Sequence, residues 1–301
     1  MAAIFLDCTD DLLPLWNRVV RPDDPKIAVN LSKVTPDDVP RLIEGYDTLI
    51  DDHTYFNPAL LERCKDKGLR RIVFLGTGAS SYIDLPAAQR CGIRVDNIKG
   101  YGDIAVAEQT LALLMDAARR VARMDRGIRE GKWRTLEGMQ LNGKRLGLIG
   151  LGGIGKEMAR LGRGIGMEVV AWNRSPVQNP PVPMLPLDEV LSTSDVVSLH
   201  LALNDETKGM IGAERIQRMK PGVVLVNTAR AAVVDEPAML EALQSGHIRH
   251  AALDVYHTEP LPADHTLTKL DNVTLAAHSG FLTPEATMTM LRISIDMVIA
   301  G

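Results

Sequence analysis

Six residues, Gly150-Leu151-Gly152-Gly153-Ile154-Gly155, stand between an apolar run from Leu146 to Ile149 and a helical pattern from Lys156 to Ile165. No other stretch limits the fold so strongly. A turn of this kind uses one glycine for its tight bend (Gly150), one where the backbone approaches a pyrophosphate (Gly152), and one where the helix packs on the strand (Gly155). The helix N-terminus then holds the phosphate charge. A second apolar run, Glu168-Val169-Val170-Ala171-Trp172, follows. Strand, turn, helix and strand within about 30 residues is the context in which this glycine spacing marks a dinucleotide site.

The second run ends at Asn173-Arg174-Ser175, where the ribose of a dinucleotide would lie. A carboxylate there binds the ribose hydroxyls of NAD, whereas an Arg accommodates a 2′-phosphate. Here Asn173 is neutral, Arg174 offers a planar fork and Ser175 adds a hydroxyl donor. The expectation is NADP(H) in preference, with NAD(H) as the alternative.

A chain of 301 residues exceeds what one core usually organises, so two domains are expected. Before the glycine turn, β-rich runs at Ala2 to Asp7, Lys26 to Leu31, Thr48 to Asp51, Arg71 to Leu75 and Ile93 to Ile98 alternate with helical or turn segments, the pattern of a small parallel α/β domain. After it, runs at Val196 to Leu201, Val223 to Thr228, His250 to Val255 and Val273 to Ala277 predict a doubly wound sheet. The stretch from Ile104 to Arg123, rich in Ala, Leu and Met and free of Pro and Gly, predicts one largely buried helix bridging the domains. Five prolines between Ser175 and Pro186 predict an irregular loop. The last helical pattern, Pro284 to Ile299, is expected to pack back on the first domain.

Composition excludes several functions. A formal net charge of −4 without a basic stripe argues against nucleic-acid binding. No run of about 18 apolar residues suggests a membrane span, and the N-terminus lacks a secretory pattern. Cys8, Cys64 and Cys91 are scattered without CxxC spacing, which suits reduced thiols in the cytoplasm. His247 and His250 stand three apart with no third ligand near them in sequence, so no metal site is expected.

Three further segments, Val226-Asn227-Thr228-Ala229-Arg230, Ala252 to Pro262, and Ala276-Ala277-His278-Ser279-Gly280, resemble with the glycine turn the D-isomer-specific 2-hydroxyacid dehydrogenase family. The resemblance extends over nearly the whole chain, to Gly76-Thr77-Gly78-Ala79, Val106-Ala107-Glu108 and Asp195 to Leu201. It implies an α/β fold in two domains, a flavodoxin-like substrate domain and a doubly wound Rossmann dinucleotide-binding domain. The first is expected over 1–99 with 283–301, discontinuous in sequence, and the second over 100–282.

The resemblance also implies an Arg, Glu, His catalytic set, which maps onto Arg230, Glu259 and His278. Chemistry supports each role. Arg230 can bind the carboxylate and carbonyl oxygens of a 2-oxo acid with a planar fork. His278, paired with Glu259, can donate its proton to the carbonyl oxygen as hydride arrives from the nicotinamide. The family's cofactor contacts map onto Gly150, Leu151, Gly152, Gly153, Ile154, Gly155, Asn173, Arg174, Ser175, His200, Leu201, Thr228, Ala229, Asp254, His278 and Gly280. Its substrate loop maps onto Gly76, Thr77, Gly78 and Ala79, with backbone N–H groups for the substrate carboxylate. His257, close to Glu259, is the rival acid.

The implied reaction is hydride transfer from NADPH to a small 2-oxo acid such as glyoxylate or hydroxypyruvate, in a homodimer built around the bridging helix. Two alternatives stand beside it: a phosphite- or formate-type dehydrogenase, and a dinucleotide-sensing binding protein. Ala277, Ala231 and Ala202 depart from the Pro, Gly and Pro frequent at those places in the family. They remove no functional side chain but leave the subfamily open.

Overall fold

A computed structural model describes residues 2–301. The chain divides into two compact units, Met1–Gly102 with Leu282–Gly301, and Asp103–Phe281. The first divide thus falls three residues later, and the second one residue earlier, than expected. The long helix begins only at Asp103, after the turn at Tyr101-Gly102.

The first unit is built on β1 (Ala3–Phe5), β2 (Ile27–Val29), β3 (Thr48–Asp51), β4 (Arg71–Phe74) and β5 (Arg94–Asn97). All pair in parallel, in the order β2-β1-β3-β4-β5. That is the flavodoxin-like order. Successive side chains alternate between faces: Ile4, Leu6, Leu49, Ile72 and Phe74 enter one core, and Ala3, Phe5, Ile50, Val73 and Leu75 the other. Burial on both faces explains why these strands read as unbroken apolar runs. Helices α1 (Leu12–Val19), α2 (Val39–Leu42), α3 (Pro58–Asp66) and α4 (Leu85–Arg90) connect them. No helix was expected over α1, which carries Pro14 in its first turn. Proline is tolerated there because first-turn N–H groups have no helical acceptor anyway.

The second unit holds a second parallel sheet. Helices α5 (Asp103–Arg119) and α6 (Val121–Arg129) lead into β6 (Arg145–Ile149), α7 (Gly153–Gly164), β7 (Glu168–Trp172), α8 (Leu187–Thr193), β8 (Val196–Leu199), α9 (Ala213–Arg218), β9 (Val223–Asn227), α10 (Glu236–Ser245), β10 (Ile248–Leu253) and β11 (Val273–Leu275). The strand order is β11-β10-β9-β8-β6-β7. A single parallel bridge, Ala171 to Met184, adds a vestigial strand outside β7 from within the proline-rich loop. With it the sheet has the doubly wound order that reverses at β6 and β8. Helix α11 (Pro284–Ala300) returns to the first unit, packs on α1, and is tied there by Arg292 to Asp24 and by Arg71 to the Met297 carbonyl.

The helix expected as one piece from Ile104 to Arg123 is two. Arg120 adopts a left-handed conformation (φ 56°) between α5 and α6. Nothing in the local sequence breaks the pattern. Asp116 holds the break: it accepts the Ala122 N–H (2.7 Å) and, from outside the stretch, the Thr274 hydroxyl of β11 (2.6 Å). Residues of α5 line the core beside β6 and α7, whereas α6 buries none of its side chains.

Candidate active site

Because the second sheet is all parallel, the loops after β6, β8, β9, β10 and β11 leave from one edge, and the reversal between β6 and β8 opens a crevice there. The glycine turn fills the first of these loops. Gly150 has φ 104°, and a Cβ on it would lie 2.3 Å from the His200 carbonyl oxygen. One on Gly155 would lie 2.3 Å from the Gly150 carbonyl oxygen. A Cβ on Gly152 meets nothing within 4 Å. Two of the glycines are therefore required by the protein's own packing, and the third borders open space. Among the described residues no hydrogen bond engages the N–H groups of Gly152, Gly153 or Ile154 at the start of α7. Free N–H groups at a helix N-terminus, beside space for a ligand, fit a pyrophosphate.

At the end of β7, Asn173 does not reach outward. Its Oδ1 accepts the Leu151 N–H (3.0 Å) and its Nδ2 donates to the Ser175 carbonyl (2.8 Å), tying the strand end to the glycine turn. Arg174 is exposed and ion-paired with Glu206. After β8, His200 takes a hydrogen bond with Ser198 through Nε2 (3.0 Å), while Nδ1 is buried without a partner among the described residues. Burial pushes this imidazole down to about 4, so it is neutral at ordinary pH. Leu201 packs beside Gly150.

After β9, Asn227 organises the Arg230 loop. Its Oδ1 accepts the Ala229 N–H (3.0 Å) and its Nδ2 donates to the Arg230 carbonyl (3.1 Å). Arg230 spends one N–H on the Ala229 carbonyl (2.7 Å), leaving the rest of the guanidinium without a partner among the described residues. Thr228 is buried and shares a hydrogen bond with Thr110 of α5 (2.8 Å). Asn227 was quoted in the sequence only as part of a motif; its bracing role depends on a loop that closes on itself.

The ends of β10 and β11 meet at the ionisable pair. Glu259 Oε1 accepts the Tyr256 N–H (2.9 Å), and Oε2 accepts the Nδ1–H of His278 (2.6 Å). A carboxylate can only accept, so the proton at the contact belongs to Nδ1, and Nε2 is left without a partner among the described residues. The His278 backbone is left-handed (φ 52°), a conformation uncommon outside glycine. Asp254 holds it: the buried carboxylate accepts the N–H groups of Ser279 (3.1 Å) and Gly280 (2.9 Å). Expected as a cofactor contact, Asp254 thus has both oxygens engaged in shaping the His278 loop. Tyr256, which the sequence did not single out, donates its hydroxyl to the Ala276 carbonyl (2.6 Å) and joins the two strand ends. His257 bonds the Val234 carbonyl instead (3.2 Å).

In the first unit, Gly76 (φ 154°) turns the chain after β4, and a Cβ there would lie 3.2 Å from the Phe74 ring. No hydrogen bond engages the N–H groups of Thr77, Gly78 or Ala79 among the described residues.

The model of the D-isomer specific 2-hydroxyacid dehydrogenase NAD binding domain matches residues 111–280. The hydroxypyruvate reductase of Thermotoga maritima is 36% identical over 280 residues, 91% of this chain and 89% of that protein. The D-3-phosphoglycerate dehydrogenase of Archaeoglobus fulgidus is 38% identical over 240 residues, 78% of this chain but 44% of that longer protein. Among solved structures, the TT0316 protein of Thermus thermophilus superimposes with a TM-score of 0.84 at 34% identity, over 99% of this chain and 96% of that one.

Proposed function

The chain belongs to the family of D-isomer specific 2-hydroxyacid dehydrogenases, and from that membership we propose that it reduces a small 2-oxo acid of the glyoxylate or hydroxypyruvate kind to the D-2-hydroxy acid, with NADPH preferred. The observation that carries this reading is the His278–Glu259 contact of 2.6 Å, with Glu259 itself fixed by the Tyr256 N–H. The dinucleotide supplies the hydride. Glu259 keeps the proton on Nδ1 of His278 and balances the charge of the imidazolium, so Nε2 is the nitrogen that gives its proton to the carbonyl oxygen. The free N–H groups of Arg230 bind the substrate carboxylate and hold the carbonyl for attack. The 76–79 loop, with its open N–H groups, is the proposed second anchor of that carboxylate.

Two features support NADPH. No acidic side chain lies in the Asn173–Ser175 stretch at the end of β7, since Asn173 braces the turn. Arg174 is held only by Glu206 in an exposed ion pair, a kind worth little in water, and a 2′-phosphate carries more charge than the carboxylate it would displace. We further assign a homodimer, supported by the exposed apolar side chains Ile104, Met115, Val121, Ile128 and Trp133 along α5, α6 and the segment after them. A cytoplasmic setting suits the three buried, unpaired cysteines.

The test is initial-rate oxidation of NADPH and NADH with a panel of 2-oxo acids, beside His278→Ala. We expect a higher kcat/KM with NADPH and a loss of roughly a hundredfold or more in the variant, the usual worth of a general acid. Equal or better rates with NADH overturn the cofactor preference. Tight dinucleotide binding without turnover on any 2-oxo acid would move the site to another small anion or to a sensing role.

A further inference from the structure

Asp103, the first residue of α5, carries no assigned role, yet it lies against the glycine turn. A Cβ built on Gly153 would come within 1.7 Å of Asp103 Oδ2 and 2.4 Å of its Cγ, so the carboxyl group sits where a side chain at position 153 would begin. Gly153 is the first residue of α7, and its N–H, like those of Gly152 and Ile154, has no partner among the described residues. Nor does any hydrogen bond engage the Asp103 carboxyl there. Among the described residues, an acidic group therefore stands without a hydrogen-bond partner at a helix start that fits a pyrophosphate. Taking the dinucleotide site of the proposed function as given, we propose that Asp103 is a charge gate on that site: ionised, it repels the pyrophosphate, and dinucleotide binding draws a proton onto its carboxyl group.

The surroundings agree in sign. Burial first, and then the negative charge of Glu157 on α7, push the Asp103 carboxyl above its ordinary range before any ligand arrives. Glu157 is itself paired with Arg160. From the end of β8, His200 lies beside Gly155 but is neutral, since burial pushes it down to about 4. Arg230, Asp254, Glu259 and His278 stand on the same sheet edge, after the ends of β9, β10 and β11. An added phosphate charge raises the carboxyl further in the complex than in the free protein. The complex thus holds more protons, and binding tightens as pH falls, levelling off once the pH drops below the free-state value or rises above the bound-state one.

The probe is ADP-ribose, whose pyrophosphate does not titrate between about pH 5 and 8 and which lacks the nicotinamide and the 2′-phosphate. Calorimetric titration of the whole chain in two buffers of different ionisation enthalpy counts the protons bound. We expect net proton uptake by the wild type, a Kd that rises by up to tenfold per pH unit within the window, and both effects lost in Asp103→Asn. At about pH 8 that variant should bind ADP-ribose tighter by a factor on the order of three to ten. Zero proton uptake by the wild type overturns the gate without any variant, and weaker binding by Asp103→Asn overturns it by making the carboxylate an attractive contact. If the wild type binds neither ADP-ribose nor NADPH, the dinucleotide reading itself fails, and the gate with it.

Discussion

Asp51 shows how much a single side chain can hide in an apolar run. It ends β3 and is fully buried, beside Asp7 and Thr54. Next to it, Asp7 receives the N–H groups of Asp52, His53 and Thr54 and anchors the loop after β3. Burial, and then the charge of Asp7, push the Asp51 carboxyl well above its ordinary range. A raised folded-state value means that the native state holds the proton more tightly than the unfolded chain does. The stabilising contribution is complete below the unfolded value near 3.8 and is lost as pH rises toward the folded one. Asp51→Asn should therefore make the protein more stable than the wild type at pH 8, where the native carboxyl is held against ionisation. The gain should shrink toward zero near pH 4. Urea denaturation of both proteins across that range checks it, and a gain independent of pH would refute the assignment.

At the scale of the element, the glycine turn carries three separable requirements. Ala at Gly150 or Gly155 places a methyl 2.3 Å from a carbonyl oxygen, a clash that backbone atoms cannot relieve by rotation. At Gly150 the φ of 104° adds strain of roughly 1–2 kcal/mol. Both variants should melt at clearly lower temperature. Gly152→Ala meets open space, so it should melt close to the wild type while losing dinucleotide affinity by an order of magnitude or more. Thermal melting with NADPH titration separates the two outcomes. The motif was legible as a string, and so were the tight turn at Gly150 and the close packing at Gly155. What the string did not contain was Asp103, which enters the turn from another helix. The α5–α6 break had the same cause: Asp116 and Thr274 meet only because β11 returns to α5, and helix propensity from Ile104 to Arg123 gives no sign of it.

Across the whole molecule, each unit closes its own sheet with helices, and α5, α6 and the segment that follows carry the exposed apolar side chains Ile104, Met115, Val121, Ile128 and Trp133. Trp133 is 87% exposed, and Val121 and Ile128 are 58% and 55% exposed. Exposed apolar surface of this extent is costly for an isolated chain and is usually covered by a partner. The chain should sediment at twice its 32.9 kDa at micromolar concentration. Val121→Glu with Ile128→Glu should shift it toward the single-chain mass, since neither side chain is buried within the chain. A wild-type protein that sediments as a single chain would remove the dimer.

The sequence by itself determined the parallel sheets and the glycine turn. Those depend on period, spacing and residue chemistry along one strand-turn-helix stretch at a time. Only the tertiary structure decided which groups are spent on holding others. Asn173, expected near a ribose, also braces the turn; Asp254, expected near the nicotinamide, also shapes the His278 loop; Arg174, offered as a fork for a 2′-phosphate, is paired with Glu206. The physical reason is common to all three. A polar side chain takes the nearest partner that desolvation leaves it, and that partner lies far away in sequence, on a strand end or loop brought alongside by the sheet.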